Sequence, residues 1–453
     1  MGDMRFMNRE NKKRQLRNNI VQLPNSYRGQ PEDDEEDSEE VVRKVHVKRR
    51  NRRLLIIFLT AAFLAALGYC WYRYQSEYQY TDYEVSWEKA MRYTETADSQ
   101  ESGGEEGTEE SAEGDSTARV AESSFVSYEI FGDNMIKYTK DGASYIDASG
   151  KTVWTQGYEM KTPVISTNGD YAVIADQQGN DLYIFNKEGT TGIAKTQLPI
   201  TKAAVSGRGV AAAIVEDSTA AYVMYYKKDG SDLQISIKML LQGDGYPIDL
   251  ALSPDGKQIA MSVMYLKNGA LKNKVVFYDF SEIGKNLDNR FIGGFEDEFE
   301  DKMVGRIRYL NENTVCAFSD KGMTFISVKD VIPDPQVTTV TVEEEIESIC
   351  YSSEYAAVIV DSPSGNPYRL DVYKTDGTLV SSTEFDYPYS GVEIDGNLVI
   401  LYNDESCRVY SVSGNEKFEG QFDFPVSCVR KGKNHMNSLI VAGSEVMKEI
   451  KLK

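Results

Sequence analysis

The sequence predicts an all-β fold: a β-propeller of about eight four-stranded blades, with seven as the alternative, preceded by one transmembrane helix and a disordered tail. Three observations carry this prediction. A hairpin pattern recurs along the chain at intervals of 36 to 55 residues. A second pattern, an aromatic strand running into a glycine-bearing turn, sits inside most units. One long apolar run precedes them all. With 453 residues, 29 tyrosines, 17 phenylalanines and 35 glycines, the chain suits one large domain of strands and tight turns with appendages.

Residues 1–53 come first and hold fourteen Lys/Arg against ten Asp/Glu. They alternate basic "RENKKRQLR", acidic "EDDEEDSEE" and basic "KRRNRR". With few apolar residues this segment cannot bury a core, which predicts a disordered cytoplasmic tail. Of the formal charge of −21, about −25 falls on the remainder of the chain. An acidic bulk of that size repels phosphate backbones and excludes nucleic-acid binding as the main function.

From Leu54 to Tyr72 runs "LLIIFLTAAFLAALGYCWY", nineteen residues without a charge. At ~1.5 Å per residue it matches the ~30 Å hydrocarbon core, so the expected first partner is the lipid bilayer. The basic cluster Lys48–Arg53 precedes it, and the positive-inside rule then puts the N-terminus in the cytoplasm and the C-terminal part outside the cell membrane. A cleaved signal peptide would have its basic residues nearer the start and a shorter apolar core. Cys70 lacks the small preceding residue of a lipid-modified cysteine, since Tyr69 stands there.

Residues 73–118 are expected as a juxtamembrane segment and linker. Glu95 to Ala118 holds nine acidic residues and no Lys or Arg, which reads as a self-repelling tether holding the folded domain off the membrane.

The propeller is expected over 119–453. Its hairpin copies include "STNGDYAVIAD", "SGRGVAAAIVED", "DLALSPDGKQIAMSV", "LNENTVCAFSD" and "IDGNLVILYND". Taking the first strand residue after each turn gives Met135, Tyr171, Val210, Ile259, Thr314, Tyr355, Leu398 and Ser438. The second pattern appears as "SYIDASGKTVW", "LYIFNKEGT", "VMYYKKDGS", "LDVYKTDGT" and "RVYSVSGNEK". Two hairpins per ~40 residues make a four-stranded blade. The last unit ends after three strands, and a strand near 119–124 is expected to complete it and close the ring, removing an open edge.

The segments "MIKYTKDGASYIDASGKTVW", "GYPIDLALSPDGKQIAMSV" and "VVFYDFSEIGKNLDNRFIGGF" resemble a domain-of-unknown-function family of single-pass membrane proteins from Gram-positive bacteria. That resemblance implies an extracytoplasmic β-propeller and carries over no catalytic residue. Asp147, Ala148, Gly150, Lys151 and Trp154 are also similar to the blade turn of quinoprotein and outer-membrane assembly propellers, one residue short. With three tryptophans in the chain, the expectation is packing between blades and no cofactor.

No catalytic, cofactor or metal set is expected. His46 and His435 are the two histidines, and neither accompanies a nucleophile motif. Cys316, Cys350, Cys407 and Cys428 lie on expected strands without a zinc spacing and read as buried apolar residues, with a disulfide as the alternative. The insertion Ser281 to Lys302 contains "FEDEFED", and Phe295, Glu296, Asp297, Glu298, Phe299, Glu300 and Asp301 are the candidate partner-binding residues: two apolar anchors and a carboxylate rim. The expected function is a binding or scaffolding module for an envelope protein or wall polymer. The alternative is a glycan-active enzyme with carboxylates in the propeller channel.

Overall fold

The structure, a computed structural model, describes residues 54–71, 73–74, 78–91, 125–328, 336–362, 365–433 and 437–453. It divides into two units, 1–75 and 76–453. In the first, Leu54–Trp71 forms a helix of 18 residues, long and apolar enough to cross a membrane by length and composition. The tail 1–53 lies outside the described residues.

The second unit is a propeller of eight four-stranded antiparallel sheets. Blades 1 to 7 are each continuous in the chain, over 126–157, 163–195, 200–240, 246–295, 304–341, 346–385 and 391–421. First strands of successive blades touch one another around most of the ring, and the first strand of blade 1 touches that of blade 8, so the first strands surround the axis. The second strands, such as Tyr171–Asp176, Ala211–Glu216 and Tyr355–Asp361, are almost wholly buried. They read as near-continuous apolar runs because both of their faces are covered by neighbouring blades.

The aromatic-to-glycine pattern marks the third strand and its turn. In blade 1, Asp147 accepts the N–H groups of Ser149 and Lys151, each at 2.9 Å. Asp229 does the same for Ser231, and Asp376 for Thr378, in the corresponding turns of blades 3 and 6. These are Asx turns, and the Ser231 and Thr378 hydroxyls, then their backbone N–H groups, hold the Asp229 and Asp376 carboxyls below their ordinary range. Trp154 stacks on Tyr145 and on Phe185 at 5.6 and 5.1 Å, filling the seam between blades 1 and 2 as expected.

Blade 8 departs from the expected closure. Its order is Tyr83–Ala90, Val446–Leu452, Ser438–Ala442, Cys428–Lys431. The strand that completes the ring is therefore Tyr83–Ala90, whereas the 119–124 stretch lies outside the described residues. The reason is length and pattern: "YEVSWEKA" pairs along seven positions with the last strand, from Tyr83↔Leu452 to Ala90↔Val446. Trp87 then covers the blade 1 turn, where a Cβ on Gly150 would lie 2.6 Å from its ring. Gly150 also has φ +72°, which favours glycine.

This placement reassigns the linker. The acidic stretch 95–118 follows the closing strand, so it joins two strands of the propeller and does not connect the propeller to the helix. The covalent link from Trp71 to Tyr83 is residues 72–82. Part of that link is held against blade 7, where the Tyr80 N–H donates to the Lys417 carbonyl at 2.7 Å; at the start of the closing strand the Tyr83 hydroxyl donates to the Gln421 carbonyl at 2.9 Å.

Candidate functional site

Two places in the propeller gather residues beyond what packing needs. The first is the rim of blade 4. Its strands Gln258–Lys267 and Ala270–Asp279 pair over ten positions. They turn through Asn268 and Gly269, with φ of 54° and 80°, the two-residue type I′ geometry that suits an Asn-Gly pair. The first strand of the blade pairs only as far as Met264, and the fourth strand only from Val275. Residues 265–274 thus extend past their neighbours as a two-stranded ribbon. At its tip Leu266 and Leu271 face each other across the strands, 74% and 52% exposed.

A free ribbon is marginal in water, and the acidic segment supplies its brace. Lys267 bridges to Glu296 at 3.0 Å and Glu300 at 3.4 Å. Lys272 bridges to Asp301 at 2.8 Å. Glu298 takes Lys302 at 3.0 Å and accepts the Thr339 hydroxyl of blade 5 at 2.6 Å. Their lysine partners hold the Glu296 and Asp301 carboxyls below the usual range, and the Thr339 hydroxyl, then Lys302, does so for Glu298. Asp297 is exposed.

Of the two expected apolar anchors, Phe295 is half-buried and Phe299 does not stand on the surface at all. Phe299 is fully buried, 0% exposed, in the core between blades 4 and 5 with Val275, Phe277 and Val304. Phe295 ends the fourth strand and packs edge-on against Phe277 at 5.9 Å. The physical reason is that the segment carries no helix that would put both rings on one outer face. Its phenylalanines seal the seam, and its carboxylates hold the ribbon.

The second place is the axis. Glu129 of blade 1, Arg306 of blade 5 and Glu393 of blade 7 stand on first strands and act on one another electrostatically. Burial pushes the Glu129 carboxyl up to about 7, against the Thr167 hydroxyl at 3.4 Å and the nearby arginines. Burial, then the charges of Glu129 and Asp395, push Glu393 up to about 8. Both retain some accessible surface while protein encloses them, as expected of groups lining a narrow channel. Around them Arg308 pairs with Asp249 at 2.8 Å and Arg430 with Asp395 at 3.2 Å.

All five cysteines are free, with Cys70 exposed and Cys316, Cys350, Cys407 and Cys428 buried. Burial raises the thiol pKa of those four, which keeps them inert. His46 and His435 lie outside the described residues.

The sequence reading missed both the ribbon tip and the axial trio. The ribbon has a local signal in "YLKNGALKNK", an Asn-Gly turn between long alternating runs. The axial groups become legible only after the blades are aligned, because each stands alone in its own repeat.

A family model describes a family of unknown function, DUF5711, and it matches residues 107–452. The chain belongs to that family. The DUF5711 match starts after the closing strand, which therefore lies outside the matched residues. Among curated proteins none matches this sequence. Solved structures of similar fold include the β-propeller domain of Myceliophteria thermophila Cps50 (Swd1), at 10% identity and TM-score 0.42, covering 72% of this chain and 97% of that one. Chaetomium thermophilum Sqt1 is similar at 12% identity and TM-score 0.47, covering 72% and 93%. A second Sqt1 structure, bound to the N-terminus of ribosomal protein L10, matches at 12% identity and TM-score 0.46, covering 72% and 95%.

Proposed function

We propose that this DUF5711 protein is a membrane-anchored binding or scaffolding module that presents its propeller outside the cytoplasm to an envelope protein or wall polymer. The observation that carries the reading is the braced ribbon of blade 4. Two leucines held in water at the tip of an extended hairpin contribute nothing to the core, and three carboxylates spent on holding their lysine neighbours make sense if the tip must be presented rigidly. The carboxylates Glu296, Asp297, Glu300 and Asp301 then form the rim around Leu266 and Leu271 and orient the partner. The basic cluster before Leu54 supports the outward orientation.

The test is crosslinking capture in cells expressing the full chain, with the captured protein or polymer identified. Replacing Leu266 and Leu271 by Ser should abolish capture while leaving the melting temperature unchanged. Equal capture by the folded double variant would remove the ribbon from the binding surface. In parallel, external protease on intact cells should digest a C-terminal tag and spare an N-terminal one; the reverse pattern would overturn the orientation.

A second reading is favoured by one observation: Glu129 and Glu393 are two interacting carboxyls at the axis, titrating at about 7 and about 8. A carboxylate-dependent glycan-active enzyme needs such a pair with different protonation states. Turnover of oligosaccharides that is lost in both Glu129→Gln and Glu393→Gln would establish it; turnover equal to that of buffer would dismiss it.

A further inference from the structure

The charges at the axis do not cancel. Arg308 is occupied by Asp249 and by the Tyr351 hydroxyl, at 2.8 and 2.9 Å. Arg430 is occupied by Asp395 at 3.2 Å and by the carbonyls of Asn134 and Gly132. Arg306 makes no hydrogen bond or salt bridge to any described residue, and it is exposed. Lys202, on the first strand of blade 3, likewise pairs with no described carboxylate.

The backbone treats these positions in a common way. In four consecutive blades the pairing of the first strand slips by one residue, between Ile200 and Lys202, Pro247 and Asp249, Val304 and Arg306, and Ile346 and Ser348. A bulge re-aims the side chain that follows it, at a cost in ladder hydrogen bonds. Here it precedes Lys202, Asp249, Arg306 and Ser348, and two of these four are cations without an ion pair.

The two carboxyls that act on Arg306 offset its charge only in part below pH 7. Burial raises Glu129 to about 7 and Glu393 to about 8, so at pH 6.5 both are mainly protonated. The axis of a strongly acidic protein thus carries a guanidinium without an ion pair among the described residues, with two mainly protonated carboxyls acting on it at pH 6.5. That is the chemistry that receives an oxyanion.

We propose that the propeller axis is an oxyanion-binding site in which Arg306 holds a carboxylate or phosphate group, with Lys202 as a second cation and the carboxyl groups of Glu129 and Glu393 at its edge. The two carboxyls donate to the anion while protonated and repel it once ionised, so affinity falls as pH rises past their titration. The site is independent of the blade 4 ribbon, and its test reads binding without turnover.

Full-length protein in detergent is titrated calorimetrically at pH 6.5 with sodium acetate and, separately, with sodium phosphate, against sodium chloride at equal ionic strength. Saturable binding of one or both oxyanions beyond chloride is expected. Acetate alone would mark a carboxylate site, and phosphate alone a phosphate site. Arg306→Gln should weaken binding roughly tenfold or more, the loss of a charge-assisted donor, and Arg306→Lys, which keeps the charge, by a smaller factor. Affinity in the unmodified protein should decline between about pH 7 and pH 9, where Glu129 and Glu393 ionise. Absence of binding beyond chloride, equal binding by folded Arg306→Gln, or constant affinity across that pH range would each overturn the proposal. Binding of calcium that is lost in Glu129→Gln and Glu393→Gln would reassign the axis to a cation.

Discussion

Tyr83 pairs with Leu452, so the first propeller strand in the chain and the last one are hydrogen-bonded neighbours. The strand that locks the ring is thus the one reached first after the apolar helix. Lys137 reinforces the seam by donating to the carbonyls of Met91 and Ser444, at 2.9 and 2.8 Å. The closing strand Tyr83–Ala90 follows directly on the 72–82 link from the helix, and the first prediction follows from that.

A chain starting at Phe125 lacks the closing strand, whereas one starting at Ser76 keeps it. The shorter chain should melt lower by roughly 5–10 °C, since it leaves the Val446–Leu452 edge unpaired and uncovers blade 1. Within the longer chain, Trp87→Ala should cost about 2–4 kcal/mol, because the ring that covers Gly150 is lost. Equal melting of the two chains by calorimetry would refute the closure.

The same topology makes a cleavage prediction. A protease site inserted between Gly104 and Glu105 lies after the closing strand in the chain, so cutting there leaves the pairing of Tyr83–Ala90 with Val446–Leu452 in place. The N-terminal fragment should stay bound to the propeller through gel filtration and separate only in denaturant. Immediate release of a propeller fragment after cleavage would show that the strand pairs too weakly to act as a clasp.

Much of this fold was legible because a propeller repeats its local rules. The expected second-strand starts at Tyr171, Thr314, Tyr355, Leu398 and Ser438 coincide with the observed ones, and Met135, Val210 and Ile259 are displaced by one residue. Each blade has its own turn chemistry and its own apolar runs, so local pattern was enough. The closing strand was not legible for the opposite reason. "YEVSWEKA" has no hairpin partner nearby, and its pairing with Val446–Leu452 spans most of the chain. The burial of Phe299 was not legible in the acidic segment, because it depends on the neighbouring blade. Charge at the axis depends on three blades at once and left no local trace.

Phe299 and the carboxylates around it have separable roles. Phe299→Ala should cost about 3–5 kcal/mol in denaturant unfolding, the price of a cavity between blades 4 and 5. Glu296→Gln and Glu300→Gln should each change stability by less than about 1 kcal/mol, since their bridges to Lys267 are solvent-exposed. They should instead loosen the ribbon, raising amide exchange at residues 265–274. A stable Phe299→Ala protein would mean that the ring is available at the surface after all.

The axial carboxyls give a pH prediction with a definite sign. Glu129 and Glu393 rise from an ordinary 4.5 to about 7 and about 8 on folding. The folded state therefore binds their protons more tightly than the unfolded state. Stability from this source is greatest below about pH 4.5 and drains away as pH climbs, until both groups are ionised above about pH 8. Glu129→Gln or Glu393→Gln removes the titrating group and keeps its shape. Each variant should match the unmodified protein near pH 5 and exceed it at pH 9 by on the order of 1–3 kcal/mol, less than the full shift implies because the channel admits solvent. Urea unfolding across that range measures the difference directly. A gap that stays constant with pH, or one that favours the unmodified protein at pH 9, would show that the two carboxyls are ionised and paired at the axis, and the free charge assigned to Arg306 would go with them.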